Sequence, residues 1–197
     1  MQASHIYAEA IKAVLTELWW LIPLLLAALV FKTRWFKGKV GEFFVSKVTR
    51  AKLPGDNYFA VENVTMPTDD GTTQIDHIYV SRFGVFVVET KNYKGWIFGS
   101  ERQAQWTQQN YQTKNRFQNP LRQNYKHVKT LEDTLGLPTE VIHSVIVFVG
   151  DCTFKTDMPA NALKGAGSVA SYIQQFTQPV LSDAQVQVGL TDCKGIA

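Results

Sequence analysis

The stretch that decides the fold is TQIDHIYVSRFGVFVVETKN, from Thr73 to Asn92. It holds two apolar runs, rich in β-branched and aromatic residues, on either side of Arg82-Phe83-Gly84. Such runs around a short turn are typical of two antiparallel strands, so we predict strands at residues 73–81 and 85–91. The second run is apolar at every position from 85 to 88, which is typical of a strand with both faces covered.

Three ionisable side chains lie on these strands where the apolar runs end. If Arg82 and Phe83 form the turn, pairing across the hairpin places Asp76 opposite Glu89, with Cβ atoms about 5 Å apart. A bulge at the turn would shift this register by one residue. Because strand side chains alternate, Lys91 shares a face with Glu89.

Two carboxylates at this distance repel each other unless a positive charge compensates. Mg²⁺, or Mn²⁺ in its place, binds one or two carboxylates and keeps positions for water and phosphate oxygens. We therefore expect a cation between Asp76 and Glu89, with Lys91 orienting or deprotonating the bound water or stabilising charge on phosphorus. The alternative is a solvated polar face with an ordinary cross-strand ion pair. The buried character of the second strand favours the metal site, because charges at its end are costly.

The formal net charge of +3 hides an uneven distribution. Residues 91–129 hold eight Lys or Arg and one acid, whereas residues 130–197 hold three basic residues and seven acids. The basic segment is interleaved with aromatic residues and glutamines, a composition that suits phosphate contacts and base stacking. Acidic lipid is the alternative partner. The residues that we expect to bind nucleic acid are Lys94, Arg102, Lys114, Arg116, Arg122 and Lys126.

The first forty residues have a different character. Residues 18–31 read LWWLIPLLLAALVF without a charge, and extension to residue 14 reaches the lower limit of about 17 residues for a spanning helix. Tryptophans lie near both ends, and four cations follow the run, which orients what comes after it toward the cytoplasm. We predict a single-pass helix at about residues 14–31 in the inner or plasma membrane. A cleaved signal peptide or a buried helix is the alternative.

The length and the composition limit the remaining choices. A chain of 197 residues allows one domain with an appendage, and 45% hydrophobic residues exclude a disordered chain. Two cysteines and four dispersed histidines speak against a disulfide scaffold and against a zinc site. Oligomeric state leaves no signal in the sequence.

The order of the remaining predicted elements favours an α/β fold with a mixed β-sheet flanked by helices. We divide the chain into an anchor at 1–37, a core domain at 38–150 and a helical extension of that domain at 151–197. The other predicted helices are at 38–53, 120–135, 168–176 and after residue 183, and the other predicted strands are at 58–66, 96–98, 104–107 and 141–149.

As an ordered set, five pieces of the sequence resemble the nuclease-related domain (NERD) family. These pieces are Gly41-Glu42, Thr73–His77, Gly84–Gly95, Trp106 and Asn119–Gln123. The family resembles a branch of the restriction-endonuclease-like PD-(D/E)xK superfamily. The resemblance implies a restriction-endonuclease-like mixed sheet with helices on both faces and a Mg²⁺-dependent phosphodiesterase centre.

Carried onto this sequence, the resemblance implies that Asp76 and Glu89 match the metal-binding acids and that Lys91 matches the catalytic lysine. Glu42 matches an additional acid, and the carbonyl oxygen of Thr90 matches a further ligand. A proline usually precedes the first aspartate of the superfamily, and this chain departs from the pattern there.

Two glutamines, Gln74 and Gln123, are candidates to support the site. The expected function is that of a membrane-anchored cytoplasmic nuclease that hydrolyses nucleic-acid phosphodiester bonds with Mg²⁺ or Mn²⁺. DNA is favoured over RNA as the partner, but the sequence does not decide the substrate. A catalytically inactive module that binds nucleic acid or a protein partner at the membrane is the alternative. Trp106 is expected to pack in the core, with a stacking role as its alternative.

Overall fold

The computed structural model describes residues 7, 9, 12, 16–68 and 71–196. The chain divides into two compact units, Met1–Lys39 and Val40–Ala197. The helices are α1 (Leu21–Lys32), α2 (Arg34–Lys52), α3 (Pro120–Leu135), α4 (Gly167–Ile173) and α5 (Asp183–Ile196). The strands are β1 (Tyr58–Thr68), β2 (Gly71–Ser81), β3 (Gly84–Asn92), β4 (Gly95–Phe98), β5 (Gln105–Gln109), β6 (Lys114–Gln118), β7 (Ile142–Val149), β8 (Cys152–Phe154) and β9 (Ala162–Lys164).

The predicted membrane helix at 14–31 overlaps α1, which has 12 residues and no buried side chain. Residues 14 and 15 lie outside the described residues. Within residues 16–68 and 71–196, no helix combines the length and the apolar character that a membrane crossing requires. The membrane anchor therefore stays a prediction.

A five-stranded sheet in the order β1-β2-β3-β7-β9 forms the centre of the second unit. Strands β1, β2 and β3 are antiparallel, and β3, β7 and β9 are parallel. One face packs with α3 and α5 through a core that includes Val87, Leu131 and Leu190. The other face packs with α2 and α4 through Val88 and Ile173, among others. Both faces of β3 are buried, as its apolar run predicts.

A second, four-stranded sheet has the order β6-β5-β4-β8. The predicted mixed sheet flanked by helices is confirmed as the five-stranded sheet. The sequence does not predict this second sheet, which forms because the parallel pair β3–β7 bends and continues as β4–β8. The Gly95 N–H donates to the Asp151 carbonyl at 2.8 Å across the bend. Gly150 has a φ of 90°, and a Cβ there would lie 2.6 Å from the Tyr93 carbonyl oxygen. A change of direction at this close approach requires glycine.

Several elements lie where the sequence predicted them, and some differ. Helix α3 has the predicted bounds, and β2 pairs with β3 in the predicted register, with Val80 opposite Val85. Residues 151–197 contain β8 and β9 as well as two helices, so this segment is not purely helical. Those two strands have three residues each, too few to carry an alternating pattern. Strand β6 was not predicted because its residues are mostly exposed and polar.

Candidate metal and catalytic site

The site lies where β2 separates from β3. The ladder between these strands ends at His77 and Val88, one residue before Asp76 and Glu89, whereas β2 stays paired with β1 up to Gly71. The Thr90 N–H donates instead to Asp76 Oδ2 at 2.8 Å. The end of the ladder thus orients the first acid toward the backbone of β3.

The geometry of β2 explains this separation. Ile75 and Ile78 are three positions apart, yet both are buried in the core beneath α3. Regular alternation would place them on opposite faces, so the alternation slips by one residue between them. Asn63, on β1 beside this point, has a positive φ of 54°. The irregularity leaves Asp76 partly exposed between two fully buried neighbours.

Glu89 and Lys91 are held together against α3. Glu89 is 3% exposed. The Lys91 ammonium donates to Glu89 Oε1 at 2.6 Å and to Gln123 Oε1 at 2.8 Å. The start of α3 is fixed by Asn119, whose side-chain oxygen accepts from the Leu121 N–H at 2.9 Å. This N-cap sets the helix that presents Gln123 to the lysine.

The second oxygen of Glu89 has different surroundings. Glu89 Oε2 accepts no hydrogen bond from the described residues, and His127 Nδ1 lies 3.6 Å away. His127 is buried, and its Nδ1 lies 3.3 Å from Asn124 Oδ1. The Asn124 amide donates to the carbonyls of Val87 and Val145, which fixes α3 over the sheet. We did not select His127 or Asn124 from the sequence, although His127 lies one helical turn after Gln123.

The electrostatics follow from burial. Burial first, then the charge of Glu89, raises the pKa of Asp76 to about 8, against the hydrogen bond from Thr90. Burial also raises the pKa of Glu89, although the adjacent Lys91 ammonium acts in the opposite direction. The pKa of His127 falls to about 4, through burial and then the charge of Lys91. The metal-free site therefore favours the neutral carboxyl of Asp76 and the neutral imidazole of His127, while burial opposes ionisation of Glu89 and Lys91 favours it.

Glu42 lies near enough to act on both acids. It is half-buried on α2, and its negative charge adds to the rise in the pKa of Asp76 and of Glu89. In the described part of the chain, no group of three His, Cys, Asp or Glu side chains could hold a metal ion. A cation at Asp76 and Glu89 would therefore need water or main-chain oxygens as well. Mg²⁺ accepts such a set, so the donors fit this ion.

The other predicted site residues are dispersed. Gln74 is exposed and donates to Asn63 Oδ1 at 3.2 Å, so the structure does not bring it to the acids. The six basic residues predicted to bind nucleic acid are all exposed. Lys114 and Arg116 lie on β6, and the Arg122 guanidinium donates to the Arg102 carbonyl at 2.7 Å. Lys126 lies on α3, and Lys94 lies between β3 and β4.

Comparison with known proteins identifies the family of the chain. The sequence is 51% identical over 136 residues to an uncharacterized protein of Bacillus anthracis. That alignment covers 68% of this chain and 63% of the relative, so the chain spans less than two thirds of the relative's length. The family model described as nuclease-related domain matches residues 37–149. This match covers more than half of the chain, and the chain therefore belongs to the nuclease-related domain family.

Proposed function

We propose that this chain hydrolyses phosphodiester bonds of nucleic acid, DNA rather than RNA, with Mg²⁺ or Mn²⁺. One observation carries the proposal: Asp76 is buried close enough to Glu89 for the Glu89 charge to raise its pKa, and Glu89 is itself buried against the Lys91 ammonium. Such strongly perturbed neighbouring groups are typical of functional sites. Membership of a nuclease-related family supports the same class of chemistry.

Asp76 and Glu89 would hold the cation, with the Thr90 carbonyl oxygen as a further ligand and Glu42 as outer support rather than a third acidic ligand. Glu89 Oε2, which lacks a hydrogen bond from the described residues, is the oxygen most in need of a positive partner. When bound, Mg²⁺ lowers the pKa of a coordinated water and neutralises charge on a phosphate oxygen.

Lys91 would position the reacting groups. Its ammonium has three N–H donors, and two of them bond to Glu89 and Gln123. The third can donate to the attacking water or to a phosphate oxygen. The water oxygen gives up a proton to solvent and forms a bond to phosphorus, one phosphorus–oxygen ester bond breaks, and the leaving oxygen takes up a proton from solvent. The neutral amide of Gln123 supports the lysine without adding charge.

Binding of the substrate backbone is assigned to the exposed cations. Each Lys or Arg that neutralises a phosphate releases a counterion, so affinity falls as salt rises. The residues assigned to these contacts are Lys94, Arg102, Lys114, Arg116, Arg122 and Lys126.

A cleavage assay tests the proposal. The 197-residue chain is incubated with DNA and RNA, with Mg²⁺ or with a chelator, and compared with Glu89→Gln and Lys91→Gln. We expect metal-dependent cleavage that either substitution lowers by at least about 100-fold, a loss typical of removing one group that stabilises developing charge. The matched controls are Glu101→Gln and Lys164→Gln, which make the same replacements at exposed positions.

Two results would contradict the proposal. One is cleavage that persists at the original rate in both site variants. The other is cleavage that does not depend on a divalent cation. Because Glu89→Gln replaces a buried acid by a neutral group of the same shape, loss of cleavage from misfolding is not expected.

The second candidate function is a catalytically inactive module that binds nucleic acid or a protein partner. It is favoured by the two acids each having a partner, Thr90 N–H for Asp76 and Lys91 for Glu89, as in a structural ion pair. The discriminating measurement is the thermal unfolding midpoint with and without Mg²⁺ or Mn²⁺. A shift that disappears in Asp76→Asn supports the enzyme, and the absence of any shift supports the module.

We also propose that residues 1–37 anchor the chain in the inner or plasma membrane, with the C-terminal domain in the cytoplasm. Helix α1 exposes apolar side chains all round, including Leu24, Leu26 and Phe31. A helix of this kind favours a lipid environment. Flotation of the chain with vesicles tests the anchor, and it should be lost when residues 1–37 are removed. If the full chain stays at the bottom of the gradient while the vesicles float, the anchor is contradicted.

A further inference from the structure

We propose that the outer face of the four-stranded sheet binds single-stranded nucleic acid by stacking bases on its aromatic side chains. The outer face is defined here as the face opposite to buried Ile97 and Trp106. The inference rests on the proposed function, because it names the form of the substrate that would be brought to Asp76 and Glu89.

The register places two aromatic side chains on this face. Ile97 and Trp106 are fully buried on the inner face, so alternation puts Trp96 and Phe98 on the outer face. Across the ladder, Gln109 lies opposite Trp96 and Thr107 lies opposite Phe98. Side chains of paired residues share a face, so polar groups lie directly beside both rings.

The same face carries positive charge. Continuing the ladder, Lys114 lies opposite Gln109 and Arg116 lies opposite Thr107, and both cations are exposed. Lys155, just beyond β8, places its ammonium 5.5 Å from the centre of the Trp96 ring. No residue that the described strands place on this face is acidic. Cations and aromatic rings without acids are complementary to a phosphate backbone with free bases.

A pocket lies on this face around Phe98. Its volume is about 360 Å³, and its lining includes Gln105, Thr107, Arg116 and Thr156. The Phe98 ring can stack on one base. The amide, hydroxyl and guanidinium groups around it can donate hydrogen bonds to the edge of that base or to a phosphate. Tyr111, which is 94% exposed, has its ring centre 5.6 Å from that of Trp96. The partly exposed rings of Phe98 and Trp96, with the exposed ring of Tyr111 next to Trp96, thus offer successive stacking positions for bases.

Base stacking selects single strands over duplexes. In a duplex the faces of the bases are covered by their neighbours, whereas a single strand offers them to aromatic side chains. The position of the face also suits delivery to the site. Trp96 follows Lys91 by five residues, so their Cα atoms are at most about 18 Å apart.

Binding is measured with the 197-residue chain carrying Glu89→Gln, in chelator, so that no substrate is cleaved. The probes are a single-stranded DNA and an RNA of about 16 nucleotides, the upper end of known site sizes for such surfaces, and a DNA duplex of the same sequence. Added substitutions are Trp96→Ala and Arg116→Gln. Trp96→Phe, which keeps an aromatic ring, and Lys164→Gln, which removes an exposed charge on β9, are the matched controls.

We expect Trp96→Ala to weaken single-strand binding by about 5- to 140-fold, the range for loss of one stacked base. Duplex binding should change by less than about threefold, as for an ordinary surface substitution. Arg116→Gln should weaken every probe and lower the slope of log affinity against log salt by about one. Trp96→Phe should retain most of the single-strand affinity. The DNA and RNA arms then show which strand chemistry the face prefers.

The inference is overturned if Trp96→Ala weakens single strand and duplex equally, or leaves both unchanged. Its failure is separable from failure of the proposed function, because cleavage is measured with the unsubstituted chain and Mg²⁺. Cleavage with no role for Trp96 leaves the function and removes the binding face. Trp96-dependent binding without metal-dependent cleavage leaves the binding face and removes the hydrolase.

Discussion

The five-stranded and the four-stranded sheets share one continuous pair of parallel strands, yet they bury different amounts of their surface. In the five-stranded sheet both faces are covered by helices, and the strand residues before the site are buried. In the four-stranded sheet the inner face packs around Trp106, Ile97 and Phe148, whereas the outer face leaves Trp96 and Phe98 partly exposed and carries exposed cations. The five-stranded sheet thus provides a buried centre that raises the pKa of its acids, and the four-stranded sheet provides a surface that is suited to binding.

The comparison also shows why the candidate site lies where it does. Glu89 and Lys91 directly follow the sealed part of β3 and come before the bend into β4. Burial there raises the pKa of Asp76 and Glu89, while the end of the β2–β3 ladder leaves Asp76 and Lys91 partly accessible. A site in the middle of the sheet would be closed, and one on the outer face would have ordinary carboxyls.

The largest effect on stability is expected from substitutions that compare the two faces of the four-stranded sheet. Trp106 is 0% exposed, its ring stacks on Phe148 with centres 6.0 Å apart, and its indole N–H donates to the Ser100 carbonyl. Trp106→Ala should lower the free energy of unfolding by about 3–5 kcal/mol, since it leaves a cavity. Trp96→Ala, on the open face, should cost less than about 1 kcal/mol.

Urea unfolding of both variants measures this difference. Equal losses would show that the outer face is packed against something, which would break the distinction between the two faces.

An intermediate effect is expected at the residue that connects the two regions. Asn119 is fully buried, and its amide donates to the carbonyls of Ser100, Glu101 and Gln103, while its oxygen caps α3. Asn119→Ala removes the cap and leaves buried carbonyls unpaired, so a loss of about 2 kcal/mol is expected. The matched control is Asn115→Ala, on exposed β6. A loss no greater than in the control would contradict this role.

A smaller effect is expected from pH: the free energy of unfolding should depend on pH through Asp76, which lies in the five-stranded sheet. The pKa of Asp76 is about 8 in the fold against 3.8 for an ordinary aspartate, so the folded state binds more protons between these values. The free energy of unfolding of the metal-free chain should therefore fall as pH rises toward 8. His127, with a pKa of about 4, acts in the opposite direction below pH 6.5. The clean window is thus pH 6.5 to 8.

In that window the loss should be on the order of 1 kcal/mol, since one pKa unit corresponds to about 1.4 kcal/mol. Asp76→Asn should flatten the dependence, and Asp183→Asn, at an exposed acid, should not. The measurement is urea unfolding across the pH window in chelator. The same slope in wild type and Asp76→Asn would argue against a buried, neutral Asp76.

The smallest effect should come from an ion pair outside both regions. The Arg82 guanidinium lies 3.1 Å from Asp183 Oδ1, and both side chains are exposed. Arg82→Gln should change the free energy of unfolding by less than about 0.5 kcal/mol, because solvent screens such pairs. A larger change, measured by the same unfolding assay, would mean that the link from the β2–β3 turn to α5 stabilises the five-stranded sheet more than its exposure indicates.

Much of the candidate site was predictable because its parts lie on two adjacent strands. The turn at Arg82-Phe83 fixes the register, and period-two alternation fixes the shared face of Glu89 and Lys91. The bounds of α3 were predictable because Pro120 begins the helix and Gly136 follows it in a left-handed conformation. The predicted role of Gln74 does not agree with its exposed position, because alternation slips beside it.

The sequence by itself determined the local patterns: the β2–β3 hairpin, the charged triplet at its end, the amphipathic α3 and the basic segment. Tertiary structure alone decided that β3 bends into a second sheet, that β2 leaves β3 at Asp76, and that His127 lies beside Glu89. The reason is physical: strand alternation and helix periodicity act between neighbours in the chain. The bend, the separation of the strands and the burial that raises the pKa of the acids depend instead on contacts between distant segments.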